Sequence, residues 1–237
     1  MAELVVALDF KDSEAALNMA RQLRGTAKWM KVGLELFTAE GPSVVRGLKG
    51  MDFKVFLDLK FFDIPNTVRG AVRSAARLGV DIVSIHALGG ERMAQAAMEG
   101  SREGASLRSN GPGDPPRVLA ITMLTSMAAG DLPVDGAPEP SQMALDLAVK
   151  AEQYGLNGVV CSGLEAERIK KACGKDFLCL TPGIRPSGSS SDDQRRVVTP
   201  AQAVLNGSDF LVMGRPITNA ASPRDVAQAV CEEMLSL

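Results

Sequence analysis

The densest concentration of reactive side chains lies in F-L-D-L-K-F-F-D-I-P-N-T, residues 56–67, which places Asp58, Lys60 and Asp63 within six positions. The stretch begins as an apolar run of strand type. On a strand, Asp58 and Lys60 at i and i+2 share one face with Phe56, while Leu57 and Leu59 take the other. Asp63 follows just before Ile64, Pro65, Asn66 and Thr67 open a helix. Asp9 ends an earlier apolar run and Lys31 sits inside another, so several charges converge on one region. A salt-bridged strand end is the plain structural alternative, but grouped charges are costly to desolvate and are seldom kept for stability alone. Acids on either side favour the ammonium form of a lysine. Such a lysine can donate a proton or stand as a fixed cation beside developing negative charge. It is a poor Schiff-base nucleophile, which must be neutral.

A second group closes the last two apolar runs: Thr181-Pro182-Gly183-Ile184-Arg185 and Met213-Gly214-Arg215-Pro216-Ile217. Glycine lets backbone N–H groups approach an anion closely, and arginine grips phosphate through two parallel hydrogen bonds. Arg215 is the bidentate candidate. The Gly/Ser-rich stretch 186–191, leading to Asp192, Asp193 and Gln194, has the composition of a lid that brings Gln194 and Arg185 over a phosphate. Each piece alone also reads as an ordinary loop; their pairing at two consecutive strand ends is what points to phosphate.

Positioning these groups takes a regular scaffold. Apolar runs recur at Leu4–Leu8, Trp29–Leu34, Lys54–Leu59, Ile82–Ala87, Arg117–Leu124, Gly158–Ser162, Phe177–Thr181 and Phe210–Met213. Between them lie helical periodicities, such as Val68, Ala71, Val72, Ala75, Ala76 and Leu78 ending at Gly79, and a further one, Pro223–Leu235, follows the last. Eight strands each followed by a helix predict an α/β fold, a (β/α)8 TIM barrel formed by residues 1–237 as one domain; an open doubly wound sheet shares the local alternation. The irregular stretches Ser126–Pro140 and Ile184–Thr199 follow the fifth and seventh strands, on the face where barrel sites are built. Ser109–Pro116 falls on the opposite face. No repeat is visible beyond the β/α alternation.

Composition removes other classes. With 46% hydrophobic and 23% charged residues the chain can bury a sizeable core, so disorder is excluded. A formal charge of -2 offers no broad attraction to nucleic acid or to an anionic membrane, so any anion must be caught locally. His86 is the sole histidine, which leaves little for a Ser-His-Asp hydrolase or a zinc enzyme. It ends the fourth run and reads equally as a site residue or a structural one. Cys161, Cys173, Cys179 and Cys231 form no C-x-x-C pair, so reduced thiols are expected. No apolar run approaches the roughly 20 residues of a membrane span, and no leader is evident, so the expected location is the cytoplasm.

These motifs resemble the orotidine 5'-phosphate decarboxylase family in its compact, free-standing form. Residues 56–68 match its D-x-K-x-x-D-I-P-x-T signature. A-L-D at 7–9, K-V-G at 31–33, L-T-S at 124–126, T-P-G-I-R-P at 181–186, D-Q-R-R at 193–196, T-P at 199–200 and G-R-P-I at 214–217 follow in family order. The resemblance implies decarboxylation of orotidine 5'-monophosphate to UMP and CO2 without metal or organic cofactor, with the preceding phosphoribosyl transfer done by another chain. It implies Lys60 as proton donor, Asp58 beside the departing carboxylate, and Asp9 and Lys31 on the ribose hydroxyls, completing the charged array. Asp63 and Thr67 would reach into a neighbouring subunit's site, which makes a homodimer with shared active sites the expected assembly. Thr125 would contact the pyrimidine and Pro182 pack near the base. Arg185, Gln194, Gly214 and Arg215 would grip the phosphate. Two alternatives stay open: a metal-dependent phosphosugar decarboxylase or aldolase of the same barrel group, whose motif runs into Asp-Ala-Gly and not Ile-Pro-Asn-Thr, and a non-catalytic nucleotide-binding barrel.

Overall fold

Eight parallel strands pair in chain order and the last pairs with the first, so the sheet closes and has no edge. A computed structural model describes residues 2–108, 111–127, 130–132, 136, 138–186 and 197–236. The elements are β1 (Glu3–Ala7), α1 (Ser13–Gln22), β2 (Trp29–Gly33), α2 (Leu34–Glu40), α3 (Pro42–Lys49), β3 (Lys54–Phe61), α4 (Pro65–Arg77), β4 (Ile82–His86), α5 (Gly90–Ser106), β5 (Arg117–Ile121), α6 (Pro140–Gln153), β6 (Gly158–Val160), α7 (Ala166–Cys173), β7 (Leu178–Thr181), α8 (Pro200–Leu205), β8 (Phe210–Met213), α9 (Arg215–Thr218) and α10 (Pro223–Leu235). All eight expected strands form, and closure rules out the open sheet. Two boundaries differ from expectation: β3 runs on to Phe61, past Leu59, and β5 stops at Ile121, short of Leu124. The crossover from β2 to β3 is two helices, because Gly41 turns the chain at φ 60° and Pro42 starts afresh.

Strand alternation divides the apolar residues into two cores. Val55, Leu57, Val83 and Ile85 point outward to the helices, while Val5, Trp29, Phe56, Ile82, Leu119, Leu180 and Phe210 fill the barrel. At its base Trp29 meets Phe210 edge-on at 5.0 Å, with Lys54 over the indole and Arg117 over the phenyl ring. The interior is therefore plugged from below.

The N-terminal face carries a short repeat. Gly79, Gly155 and Gly207 all have positive φ, and two residues after each comes Asp81, Asn157 or Asp209, directly before β4, β6 or β8. Each side-chain oxygen accepts a backbone N–H from the preceding strand: Val55 at 2.8 Å, Val118 at 2.8 Å and Cys179 at 2.7 Å. Asp81 and Asp209 also hold Lys49 and Lys170, each at 2.7 Å. The unit is only a turn long, so it escapes a search for repeats of element size.

Candidate active site

The strands deliver the charged groups to the opposite, C-terminal end. Lys31 follows Trp29 on the inward row of β2 and donates to Asp9 Oδ1 at 2.8 Å. Gly33 is next on that row. A Cβ there would lie 2.8 Å from Lys31 Nζ and 3.3 Å from Asp9 Oδ1, so the missing side chain leaves the ammonium its path to the acid. On β3, inward-facing Phe56 is followed by Asp58, whose Oδ2 accepts from Lys60 Nζ at 2.8 Å. The Asp58 side chain is 11% exposed and that of Lys60 28%, so the pair faces a partly dry space.

The backbone under this pair is irregular. Leu57 pairs with Val83 and Phe61 with Ile85, so β3 advances four residues while β4 advances two, and Lys60 takes φ 51°. Ser84, fully buried on β4, spans the irregularity: its hydroxyl donates to Asp58 Oδ1 at 2.8 Å and accepts the Lys60 N–H at 3.0 Å.

These groups open on a cavity of about 920 Å³ lined by Asp9, Lys31, Asp58, Lys60, Thr125, Pro182, Arg185, Gly214 and Arg215. Its floor is apolar, formed by Ala7, Phe56, Ile121, Val160, Leu180 and Val212 at the top of the inner core. Nine residues expected from sequence thus meet in one space, from all but two of the eight strand ends. Asp63 and Thr67 do not line it. Both are exposed beyond β3, where the Asp63 carboxylate accepts the neighbouring Ile64 N–H and Thr67 lies in the first turn of α4. Gln194 and the rest of the expected lid after Pro186 lie outside the described residues. His86 is partly buried at the end of β4, its ring 5.5 Å from that of Phe62. Burial first, and the Lys60 cation second, hold its pKa below the usual imidazole value, with Asp58 pulling weakly the other way.

Sequence reasoning missed Ser84, one hydroxyl among Ile82, Val83 and Ile85, and gave Gly33 no role beyond its motif. It also missed the rim residues Lys11, Asp12 and Glu35. Ser84 was findable in principle: it lies two residues before His86 on the inward row, beside the Asp58 strand. Among the described residues no group of three or more His, Cys, Asp or Glu is placed to hold a metal ion; Asp9 and Asp58 at the mouth pair with lysines. The space joins an ammonium held by an acid, an apolar floor for a flat ring, and two arginines with a glycine for an anion. Such a site suits a phosphorylated ligand whose ring carbon gains negative charge.

Residues 2–230 match the family described as Orotidine 5'-phosphate decarboxylase / HUMPS family. The chain is 61% identical to an orotidine 5'-phosphate decarboxylase of Maridesulfovibrio salexigens over 236 residues, covering 100% of both. It is 59% identical to one of Nitratidesulfovibrio vulgaris, covering 100% of this chain and 99% of the relative. Among solved structures, orotidine 5'-phosphate decarboxylase from Lactobacillus acidophilus superposes with a TM-score of 0.86 at 35% identity, over 99% of each chain.

Proposed function

The chain belongs to the orotidine 5'-phosphate decarboxylase / HUMPS family, and from that premise we infer that it decarboxylates orotidine 5'-monophosphate to UMP and CO2, the last step of de novo UMP synthesis. The observation that carries the reading is the Lys60 ammonium held 2.8 Å from Asp58 in the cavity whose wall includes Arg185 and Arg215. When the C–CO2 bond breaks, its electron pair stays on the ring carbon in the ring plane, where no π-system absorbs it. A cation already in place must stabilise that charge. Lys60 supplies the cation and then the proton that makes the C–H bond, and the neutral amine recovers its proton from solvent. Asp58 fixes the ammonium and stands beside the departing carboxylate. Asp9 and Lys31 take the ribose hydroxyls, Thr125 and Pro182 the base, and Arg185, Gln194, Gly214 and Arg215 the phosphate. Grip on the phosphate, remote from the reacting carbon, supplies binding energy that holds the base against the charged end.

The working unit is a homodimer of single-domain chains, with Asp63 and Thr67 completing the partner's site. Support comes from their exposure and from the apolar residues around them: Phe62 is 59% exposed, Ile64 67%, Leu34 54% and Leu88 51%, all just beyond β2, β3 and β4. A run of exposed apolar groups at one rim is the mark of a protein interface. The compartment is the cytoplasm: the four cysteines are free thiols, and no helix among the described residues is long and apolar enough to cross a membrane.

Purified protein should consume orotidine 5'-monophosphate, followed by absorbance, with EDTA present. Turnover lost to the chelator would favour the metal-dependent phosphosugar branch, and UMP binding without turnover the non-catalytic barrel. Mixing Lys60→Ala with Asp63→Ala chains tests the shared site, since each mixed dimer has one site with both residues intact. An equal mixture should regain about a quarter of wild-type activity; verified exchange with no recovery would keep Asp63 within its own subunit.

A further inference from the structure

The hydroxyl of Ser84 connects the two halves of the charged pair. Asp58 has two carboxylate oxygens with separate partners: Oδ2 takes the Lys60 ammonium and Oδ1 takes the Ser84 hydroxyl, each at 2.8 Å. The plane of the carboxylate, and with it the direction from which Lys60 is held, is set by both contacts together. The same hydroxyl accepts the backbone N–H of Lys60 at 3.0 Å. That residue sits at φ 51°, a conformation side-chain-bearing residues seldom adopt and keep only where surroundings enforce it. Lys60 lies where β3 and β4 lose register, between Leu57 and Phe61, and there its N–H is taken by the Ser84 hydroxyl. Ser84 is fully buried, so no bulk water substitutes for it.

We propose that Ser84 is a positioning residue for the decarboxylation: by bridging Asp58 Oδ1 and the Lys60 amide it locks the acid's orientation and the strained backbone that together aim the Lys60 ammonium. The proposal rests on Lys60 being the proton donor. Ser84 is fully buried behind Asp58 and is not part of the cavity wall, so it acts through the pair. Its loss should lower kcat and leave ground-state binding nearly intact, because the phosphate and ribose contacts are elsewhere in the cavity.

The experiment compares Ser84→Ala, Ser84→Thr and Ser84→Val with the wild type and with Lys60→Ala, reading kcat, KM and UMP affinity. Thr and Val have nearly the same volume, so their difference isolates the hydroxyl from any crowding in the buried strand. Ser84→Ala and Ser84→Val should lose roughly 10- to 100-fold in kcat, the scale of a small misplacement of a catalytic group, with KM and UMP affinity within about threefold. Ser84→Thr should recover most of the loss. Ser84→Ala within about twofold of wild-type kcat would overturn the proposal. So would equal losses in Thr and Val, or a matching loss of UMP affinity, which marks a fold defect. Wild-type turnover by Lys60→Ala would instead remove the proton-donor reading itself, whatever the Ser84 variants do.

Discussion

Both ends of the barrel hold lysine–aspartate pairs within 0.1 Å of the same length, and what differs is their surroundings. At the base, Lys49–Asp81 and Lys170–Asp209 close at 2.7 Å; at the mouth, Lys31–Asp9 and Lys60–Asp58 close at 2.8 Å. In each basal acid the oxygen that takes the lysine also accepts a backbone N–H, Oδ2 of Asp81 that of Val55 and Oδ2 of Asp209 that of Cys179, and Lys170 also donates to the Lys175 carbonyl. They tie strand to strand. The acids of the mouth line a cavity of about 920 Å³, and Asp58 uses its second oxygen on a side chain and not on the ladder. Distance and charge alone therefore do not identify a working pair. What separates the two is whether the pair completes the sheet or looks into open space.

The sharpest way to break this contrast is to cut one pair at each end. Lys60→Ala should lower kcat by at least about 1,000-fold, the loss found when a preorganised charge-stabilising group is removed, while UMP still binds and the melting temperature changes little. Asp209→Ala should do the reverse. It strands the Cys179 N–H and the Lys170 ammonium, costing about 1–3 kcal/mol in denaturant unfolding with kcat within about twofold of wild type. Two variants that lose the same property would erase the distinction between the ends.

How much of this was legible in the sequence follows the same division. Alternation along β3 correctly put Phe56, Asp58 and Lys60 on the inward face, because side-chain direction on a strand has a period of two whatever lies around it. Eight strands and a closed barrel followed from counting. The irregular step at Lys60 did not, since a bulge depends on register with a neighbour and β4 lies more than twenty residues further along the chain. Ser84 was hidden for that reason: its role exists only across the gap between two strands. The basal ties were hidden too, because Asp81 and Asp209 look in sequence like ordinary turn acids. Asp63 and Thr67 mark a further limit, as the role proposed for them belongs to a second chain, which strand alternation within one chain does not describe.

Arginines at the two ends sharpen the comparison at lower amplitude. Arg215 lines the mouth beside Gly214, whereas Arg117 sits at the base with its guanidinium 5.9 Å from the Phe210 ring centre. Arg215→Ala should raise KM roughly 10- to 100-fold with a smaller change in kcat, as expected when a contact made equally in ground and transition states is lost. Arg117→Ala should leave both constants alone and cost about 0.5–1 kcal/mol of stability. A fall in kcat for Arg215→Ala as steep as that for Lys60→Ala would mean that the phosphate end and the reacting end are not separable.

The smallest effect concerns His86, and it reads the field of the mouth directly. Burial lowers its pKa and the nearby Lys60 ammonium lowers it further, so the folded protein favours the neutral ring. The unfolded chain takes up that proton near the ordinary value of about 6.5. Between that pH and the lower folded pKa the unfolded state binds more protons, so stability is full above about pH 6.5, declines as pH falls, and stops declining once the folded ring is also protonated. His86→Asn should lack this component, visible as a shallower loss of denaturant midpoint on acidification. Because the chain has a single histidine, its imidazole resonance can be titrated by NMR without assignment. In Lys60→Ala the cation is gone and Asp58 is left without its lysine, and both changes favour the imidazolium, so the titration should move upward. In Lys170→Ala, at the far end, it should stay where it is. An unmoved titration in Lys60→Ala would show that the ammonium is not directed toward the space that β3 and β4 share at the mouth.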